Sequence, residues 1–342
     1  MKTANGTESK GAPSFIRRVQ QVSVFNIVLI LAGMCLLLSI AVGGKFLSAT
    51  NITSVVRQFS FYAIMATGML LAIITGGIDL SSGSVFAFSS IITCLFIAKW
   101  DIPLLTGMPV LLRVILGVLL GMLSGAAFGY LNGALITLLK LPPFIATLGT
   151  MSIARGLSYG ITGGYPIGSL PDQFKFIGLG TIGAGSVQIP TPIILMVVLA
   201  LLFSFFLRKT ILGRWVYAIG GNEEAARIAG VRVDRTKRIV YALCGLMSSI
   251  AGIATAARLG VGQSTAGQGY EMDAIAAVII GGASVNGGVG TVLGSVLGAA
   301  IMGVLRNGLV LLNVSAYWQQ AVLGVVIVVA VSFDKLQHDR KK

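Results

Sequence analysis

The sequence predicts an all-α polytopic membrane protein with about ten transmembrane helices. Of its 342 residues, 55% are hydrophobic and only 11% are charged, whereas a soluble domain carries about 25% charged residues. The mean hydropathy is +0.91. Glycine occurs 45 times, and in lipid this residue lets helices approach closely. These observations exclude a disordered chain, a disulfide scaffold and a soluble α/β enzyme.

Runs without charge locate the predicted spans, since a helix needs about 20 apolar residues to cross the hydrocarbon core. The charge-free runs are 24–42, 58–78, 80–98, 114–139, 239–257, 274–305 and 307–333. Two weaker candidates are 143–162, which contains Arg155, and 191–207. Six of these candidates precede Arg208, and ten spans are expected in all, with eight as the alternative.

Glycine-rich turns predict discontinuous helices. The run 274–305 is interrupted by GGASVNGGVG, a strong turn signal, so we expect a short helix before it and a full span over about 289–312. Segment 73–85 aligns without gaps on 278–290, which pairs Gly76 and Gly77 with Gly281 and Gly282. A second similarity pairs Asn132-Gly133 with Asn307-Gly308. Such interrupted segments in two halves are typical of transporters built from repeats.

Basic residues predict the topology. The stretches 1–23, 208–238 and 334–342 together carry +10 of the net charge of +14. An excess of Lys and Arg marks cytoplasmic segments. The sequence therefore predicts a cytoplasmic N-terminal tail (1–23), a transmembrane domain (24–333) with a cytoplasmic loop at 208–238, and a cytoplasmic C-terminal tail (334–342). The charge is thus interpreted as topology and not as a nucleic-acid-binding surface.

The loop 208–238 contains a short capped helix. Asn222 is a favourable N-cap, Glu223 and Glu224 place negative charge in the first turn, and Gly230 is a natural stop. A two-turn helix is too short to be stable alone. Its apolar face, which includes Ala225 and Ala226, must therefore pack on something: either the protein's own membrane domain or a cytosolic partner.

This loop resembles a known signature. Glu224-Ala225-Ala226 followed after three residues by Gly230 is similar to the EAA-x₃-G motif in permease subunits of ATP-binding-cassette importers. The Leu-Pro that usually follows is absent, which points to the ribose, galactose and xylose permeases, and most closely to the ribose type. Four further stretches resemble that subfamily: 75–84, 142–156, 265–291 and 313–320.

The resemblance implies several partners. It implies a cytosolic ATPase that docks on the coupling residues Asn222, Glu223, Glu224, Ala225, Ala226 and Gly230. It also implies a periplasmic sugar-binding protein and a second copy of the chain or a paralogous permease. ATP would be bound by the partner subunit, so no cofactor is expected on this chain. The expected location is the bacterial inner membrane, with both termini cytoplasmic.

Polar residues inside apolar segments are candidates for the translocation pathway or a gate. A carboxylate such as Asp79 between two charge-free runs is costly in lipid and functional by default. It is expected to cap the helix that starts near Ser82 or to act in gating, with a proton relay as the alternative. Further candidates, each of which could instead bridge two helices, are Asn132, Thr147, Asn286 and Asn307.

Two other functional classes stay open at this point. One is a self-sufficient proton-coupled sugar transporter that uses Asp79, Glu271 or Asp273. The other is an intramembrane enzyme, which is weak because His338 is the single histidine and no nucleophile–base or metal-ligand pattern accompanies it. No phosphate-binding G-x₄-G-K-[ST] motif occurs. The carried sugar cannot be identified from these residues.

Overall fold

Helices make up most of the chain in a computed structural model that describes residues 15–99, 107–184 and 187–339. The first half contains α1 (Phe15–Val42), α2 (Ala49–Ile74), α3 (Ser82–Ala98), α4 (Val110–Leu138), α5 (Pro143–Thr162) and α6 (Asp172–Leu179). An antiparallel hairpin of β1 (Thr181–Ala184) and β2 (Val187–Pro190) follows. The second half contains α7 (Thr191–Lys209), α8 (Ile211–Gly221), α9 (Glu223–Ile228), α10 (Val233–Leu259), α11 (Tyr270–Ile280), α12 (Val292–Leu311) and α13 (Ala316–Asp339).

Several of these helices suit a bilayer. Within the described residues, six segments are long and apolar enough to cross a membrane: Val24–Lys45, α2, α4, α7, α10 and α12. Helix α3 is apolar but has 17 residues. The predicted class, a helical multi-pass membrane protein, is confirmed, whereas the count of ten spans stays a prediction. The predicted short helix near 273–283 is α11, and the full span predicted after it is α12.

Helix α2 is the centre of the bundle. Every residue from Ser60 to Ile74 is buried, and the helix packs against α7, α10, α11 and α12. This part of α2 is apolar almost all round, which is the pattern of a helix enclosed by others. By contrast, α1 and α7 expose large apolar side chains such as Leu29, Ile40 and Leu201, which suits contact with lipid.

Glycine spacing sets the tightest helix contact. Helix α4 carries a buried glycine at every fourth position, so all lie on one face: Gly117, Gly121, Gly125, Gly129 and Gly133. This face packs on α3 and α10. A Cβ on Gly125 would lie 2.6 Å from the carbonyl oxygen of Gly245 on α10. Larger side chains would push the helices apart, so the glycines determine the separation of α4 and α10.

The segment between α5 and α7 contains regular structure that was not predicted from the sequence. It contains α6 and the β1–β2 hairpin, in which Ile182 pairs with Ile189. Thr191 joins this segment to α7, since its hydroxyl donates to the Ile177 carbonyl oxygen at 3.0 Å. These elements have too few residues to give a clear periodic pattern in the sequence.

We predict that Gly129→Ala destabilises the protein, because a Cβ at this position overlaps the Tyr241 carbonyl oxygen of α10. Forced overpacking costs about 1–3 kcal/mol, so the unfolding midpoint in detergent should fall. The matched control is Gly149→Ala in α5, where a Cβ meets no atom within 4 Å. The control should unfold at or slightly above the wild-type temperature, since alanine favours a helix over glycine. Equal midpoints for the two variants would contradict the packing argument.

Candidate functional site

The predicted capped helix is present as α9 and is bounded by the predicted residues. Asn222 has extended backbone (φ −162°), and its side chain accepts a hydrogen bond from the Ala225 amide at 2.9 Å. Gly230 adopts φ +84°, a conformation that glycine reaches without strain. The predicted N-cap and helix stop are therefore confirmed as local structure.

Helix α9 has two different faces. Ala226 is buried and packs with Ile219 of α8 and Val233 of α10, so one face rests on the protein itself. On the other face Ile228 is 83% exposed, and Glu224 and Ala225 are also exposed. Packing on the protein's own domain, one of the two predicted alternatives, thus accounts for one face of α9. The other face, with Ile228, is exposed, so contact with a cytosolic partner stays a prediction.

Ion pairs hold α9 to the start of α10. The Lys237 ammonium lies 2.6 Å from Glu223, and Arg227 lies 3.1 Å from Asp234. The hydrogen bond to Asp234 raises the pKa of Arg227 above its usual value. A groove of about 670 Å³ runs between these side chains and the α4–α5 turn at Lys140. Lys237 is mostly buried, but its partner Glu223 and the Arg227–Asp234 pair are 44–53% exposed, so solvent screens both pairs and each contributes modestly to stability. Together they orient α9 on the bundle.

Helix α8 positions α9 and had no counterpart in the sequence prediction. Thr210 caps its start, since the Thr210 hydroxyl accepts from the Gly213 amide at 3.0 Å, and Asn222 alone separates its end from α9. Val216 and Ile219 are buried, whereas Ile211 is exposed. Apolar residues spaced by three or four would have indicated an amphipathic helix here.

Asp79 lies in a buried polar cluster at the start of α3. Its Oδ1 accepts hydrogen bonds from the Ser81 amide at 3.0 Å, the Ser81 hydroxyl at 2.6 Å and the Asn132 amide at 3.2 Å. The Thr150 hydroxyl of α5 donates in turn to Asn132 Oδ1. All four residues are at most 1% exposed. These contacts hold Asp79 at Ser81, the residue immediately before α3, and the role of the carboxylate in capping or gating stays a prediction.

Thr147 lies beside this cluster, and the other two candidate residues lie elsewhere. The Thr147 hydroxyl donates to the Pro143 carbonyl oxygen at 2.8 Å and also lies 3.4 Å from that of Ile78. Asn307 forms a double amide pair with Asn51 of α2, at 2.9 and 3.1 Å. Asn286 is exposed in the loop after α11. The structure therefore brings Asp79, Asn132 and Thr147 together and separates Asn286 and Asn307 from them.

The four glycines of the predicted repeat lie at two similar helix ends. Gly76 has φ +77° and Gly282 has φ +84°, and each follows the end of a helix. The amides of each glycine and of the residue after it donate hydrogen bonds to the last carbonyl groups of that helix, as in a Schellman cap. The other two allow close contact: a Cβ on Gly77 would overlap the Tyr241 hydroxyl, and one on Gly281 would overlap the Gly294 carbonyl. In this geometry Gly76 is equivalent to Gly282. The gapless sequence alignment instead pairs Gly77 with Gly282, so the two pairings differ by one residue.

The similarity between Asn132-Gly133 and Asn307-Gly308 pairs two helices that do not occupy equivalent places in the two halves of the chain. Asn132 lies in α4 and Asn307 in α12, whereas the glycine alignment matches α12 with α3. The two similarities therefore cannot describe the same repeat. The short Asn-Gly pair is better explained by the abundance of glycine in the chain.

Asp273, a candidate for the alternative proton relay, lies in a second buried charged cluster with Arg306, which was not predicted as a site residue. Arg306 of α12 forms an ion pair with Asp273 of α11 at 2.5 Å and lies over the rings of Tyr62 and Tyr270, at 5.6 and 5.8 Å from their centroids. Asp273 is 2% exposed. The two residues flank the charge-free run 274–305 in the sequence, and charged side chains inside a membrane protein usually pair with one another.

Arg155 also has a defined place inside the bundle. Its guanidinium donates to the carbonyl oxygens of Ser264 and Ala266 in the loop before α11, and to that of Gly83 in α3. The loop lacks regular structure, so its carbonyl groups need such donors. Arg155 thus binds the protein's own backbone from within the predicted span 143–162.

Comparisons with known proteins identify the family. A sequence model described as the permease component of the branched-chain amino acid transport system matches residues 51–331. The chain belongs to this permease family. Its members are transport components, and the chain is accordingly a transport subunit and not an enzyme. In the described residues, no three His, Cys, Asp or Glu side chains are grouped as metal ligands.

Relatives with sugar substrates cover most of the chain. The ribose import permease of Bacillus subtilis is 45% identical over 85% of this chain and 86% of its own. The galactose/methyl galactoside import permease of Escherichia coli is 34% identical over 96% and 98%. The xylose transport permease of Haemophilus influenzae is 33% identical over 91% and 96%. No solved structure matches the chain.

We predict that Asp79→Asn folds and retains transport, because an asparagine oxygen placed at Oδ1 accepts the same three hydrogen bonds. Asp79→Leu removes the acceptor for all three donors, and each buried unsatisfied group costs about 1–3 kcal/mol. Thermal unfolding in detergent should show a large loss for Asp79→Leu alone. If Asp79→Asn folds normally but abolishes uptake, a proton relay replaces the capping role.

Proposed function

We propose that the chain is the transmembrane subunit of an ATP-binding-cassette importer that carries ribose or a related monosaccharide across the bacterial inner membrane. A cytosolic ATPase drives it, and a periplasmic sugar-binding protein delivers the substrate. Family membership supports the permease role. The ribose, galactose and xylose relatives, which span at least 85% of the chain, support a sugar cargo, and the ribose permease has the highest identity of the three.

The exposed face of α9 is the observation that carries the energy-coupling part of this proposal. A helix of six residues is bound on one side through Ala226 and presents Ile228 on the other. Isolated apolar exposure on a rigid, capped helix is suited to a groove in a partner. We assign the contact with the ATPase to Asn222, Glu223, Glu224, Ala225 and Gly230. Ala226, also predicted as a coupling residue, is buried against α8 and α10 and therefore seats the helix on the protein itself.

The proposed topology follows from the charge distribution. Residues 208–238, together with tails 1–23 and 334–342, are placed in the cytoplasm, and residues 24–333 form a domain of ten spans. Residues 1–14 and 340–342 lie outside the described residues. The helix ends at Gly76–Gly77 and Gly281–Gly282 are assigned to the two discontinuous parts of an internal repeat. The functional unit is a dimer with a second copy or a paralogous permease.

The proposed gate is the buried cluster of Asp79, Asn132 and Thr147. It joins the turn after α2 to α4 and α5, so a displacement of one of these helices must break hydrogen bonds to the others. Asn286 and Asn307 were also candidates for the pathway. The amide pair with Asn51 favours helix bridging for Asn307, while the exposure of Asn286 keeps it available to a ligand.

Uptake by proteoliposomes tests the proposed function. The chain is reconstituted with its cognate ATPase and binding protein, and accumulation of labelled ribose, xylose and galactose is measured with and without ATP inside. We expect accumulation only with ATP and all three components. Accumulation by the purified chain alone, driven by a pH gradient, would show a secondary transporter.

Glu224→Lys should abolish ATP-driven uptake and leave membrane insertion intact, because it reverses a charge on the exposed face of α9. Association with the ATPase is measured by co-purification in detergent. The matched control is Asp172→Lys in α6, which makes the same charge change at a side chain that is 93% exposed and far from α9 along the chain. Normal uptake by Glu224→Lys would refute the assignment of α9 to ATPase coupling.

A further inference from the structure

Three separate parts of the backbone meet at Gly220, near the end of α8. The Ile74 carbonyl oxygen, at the end of α2, accepts a hydrogen bond from the Gly288 amide in the loop after α11 at 2.9 Å. Gly220 lies directly against both groups: a Cβ there would overlap the Ile74 oxygen and the Gly288 nitrogen. We call this contact of Gly220, Ile74 and Gly288 the glycine junction.

The same loop is also bound to α8 by a side chain. The Tyr217 hydroxyl, about one turn before Gly220, donates to the Gly290 carbonyl oxygen at 2.8 Å. Gly287 and Gly288 adopt φ +89° and +75°, which brings their backbone close to α8. Helix α8 therefore contacts the loop through both its backbone and a tyrosine.

The contact is specific to one glycine of α8. Gly220 and Gly221 are adjacent in the same helix, yet a Cβ on Gly221 meets no atom within 4 Å. Neither has a positive φ in this structure. The requirement at Gly220 is therefore for space against neighbouring backbone, and backbone cannot move aside as the end of a flexible side chain can.

We call the end of α2 and the loop between α11 and α12 the two helix breaks. The glycine junction connects both of them to α9. Asn222 is the single residue between α8 and α9, and its side-chain cap makes that connection short and ordered. A displacement of α9 must therefore move α8, and α8 touches the end of α2 and the loop between α11 and α12. A packed contact of this kind responds as a unit and does not deform gradually.

We propose that Gly220 is a positioning residue which passes the movement of α9 to both helix breaks at once. The inference rests on the proposed function, since it assumes that an ATPase moves α9. Gly220 itself touches neither ATP nor sugar. It sets the distance between α8 and the two breaks, so that the ATPase and the transport pathway change together.

The test compares Gly220→Ala with Gly221→Ala in the complete complex with ATPase and binding protein. Ribose uptake and ATP hydrolysis are measured in the same proteoliposomes. Gly220→Ala should lower the number of sugars carried per ATP by about tenfold, as expected for a residue within a coupled network, with hydrolysis and co-purification of the ATPase retained. Gly221→Ala should match the wild type.

A milder variant keeps the inference testable if Gly220→Ala fails to fold. Tyr217→Phe removes one hydroxyl and its bond to Gly290, and the control Tyr130→Phe changes an exposed tyrosine. Tyr217→Phe should lower the sugars carried per ATP by about threefold. Wild-type coupling in every folded variant overturns the role of the junction. Absence of ATP-driven uptake in the wild type would instead refute the proposed function.

Discussion

Close backbone contact at glycine is the constraint on which the rest of the structure depends. The glycine face of α4 brings α4 against α10, where a side chain at Gly129 would overlap the Tyr241 carbonyl. Gly281 and Gly294 allow the same approach between the end of α11 and α12. Lipid offers no hydrophobic force between helices, so tight van der Waals packing has to hold them together. Many of the 45 glycines are thus part of the packing and not only of the turns.

Interrupted helices require a second condition, that every backbone group at a break finds a partner inside the protein. The ends of α2 and α11 satisfy their carbonyl groups with glycine caps, and Asp79 binds the amide and hydroxyl of Ser81 before α3. Arg155 serves the carbonyl groups of the loop before α11. Irregular backbone is tolerated in a membrane only when it is buried and satisfied in this way. Polar residues at such places therefore have a structural task even where they also serve transport.

Sequence reasoning located most helices but not their relationships. Pro143–Thr162 is predicted to the residue, because prolines mark its start and Gly163 its end. The predicted run 58–78 misses the first turns of α2 and runs past its end, since a charge-free run stops at Arg57 and Asp79, whereas the helix includes Arg57 and ends at Ile74. Asp79, Asn132 and Thr147 are predicted separately as polar residues in apolar runs. Their assembly around one carboxylate joins positions 53 residues apart, a distance that no local pattern spans.

The sequence by itself determined the class of the protein, the apolar segments and the capped helix α9, because these follow from hydropathy, charge and local capping rules that act over a few residues. The family signature around Glu224 was equally local. Only the tertiary structure decided that α8 lies against both helix breaks, that Asp273 pairs with Arg306, and that Gly220 has no room for a side chain whereas Gly221 does. The physical reason is that close packing depends on atoms from distant segments. Gly220 and Gly221 are adjacent residues of the same type, so the local sequence does not show which of them contacts those atoms.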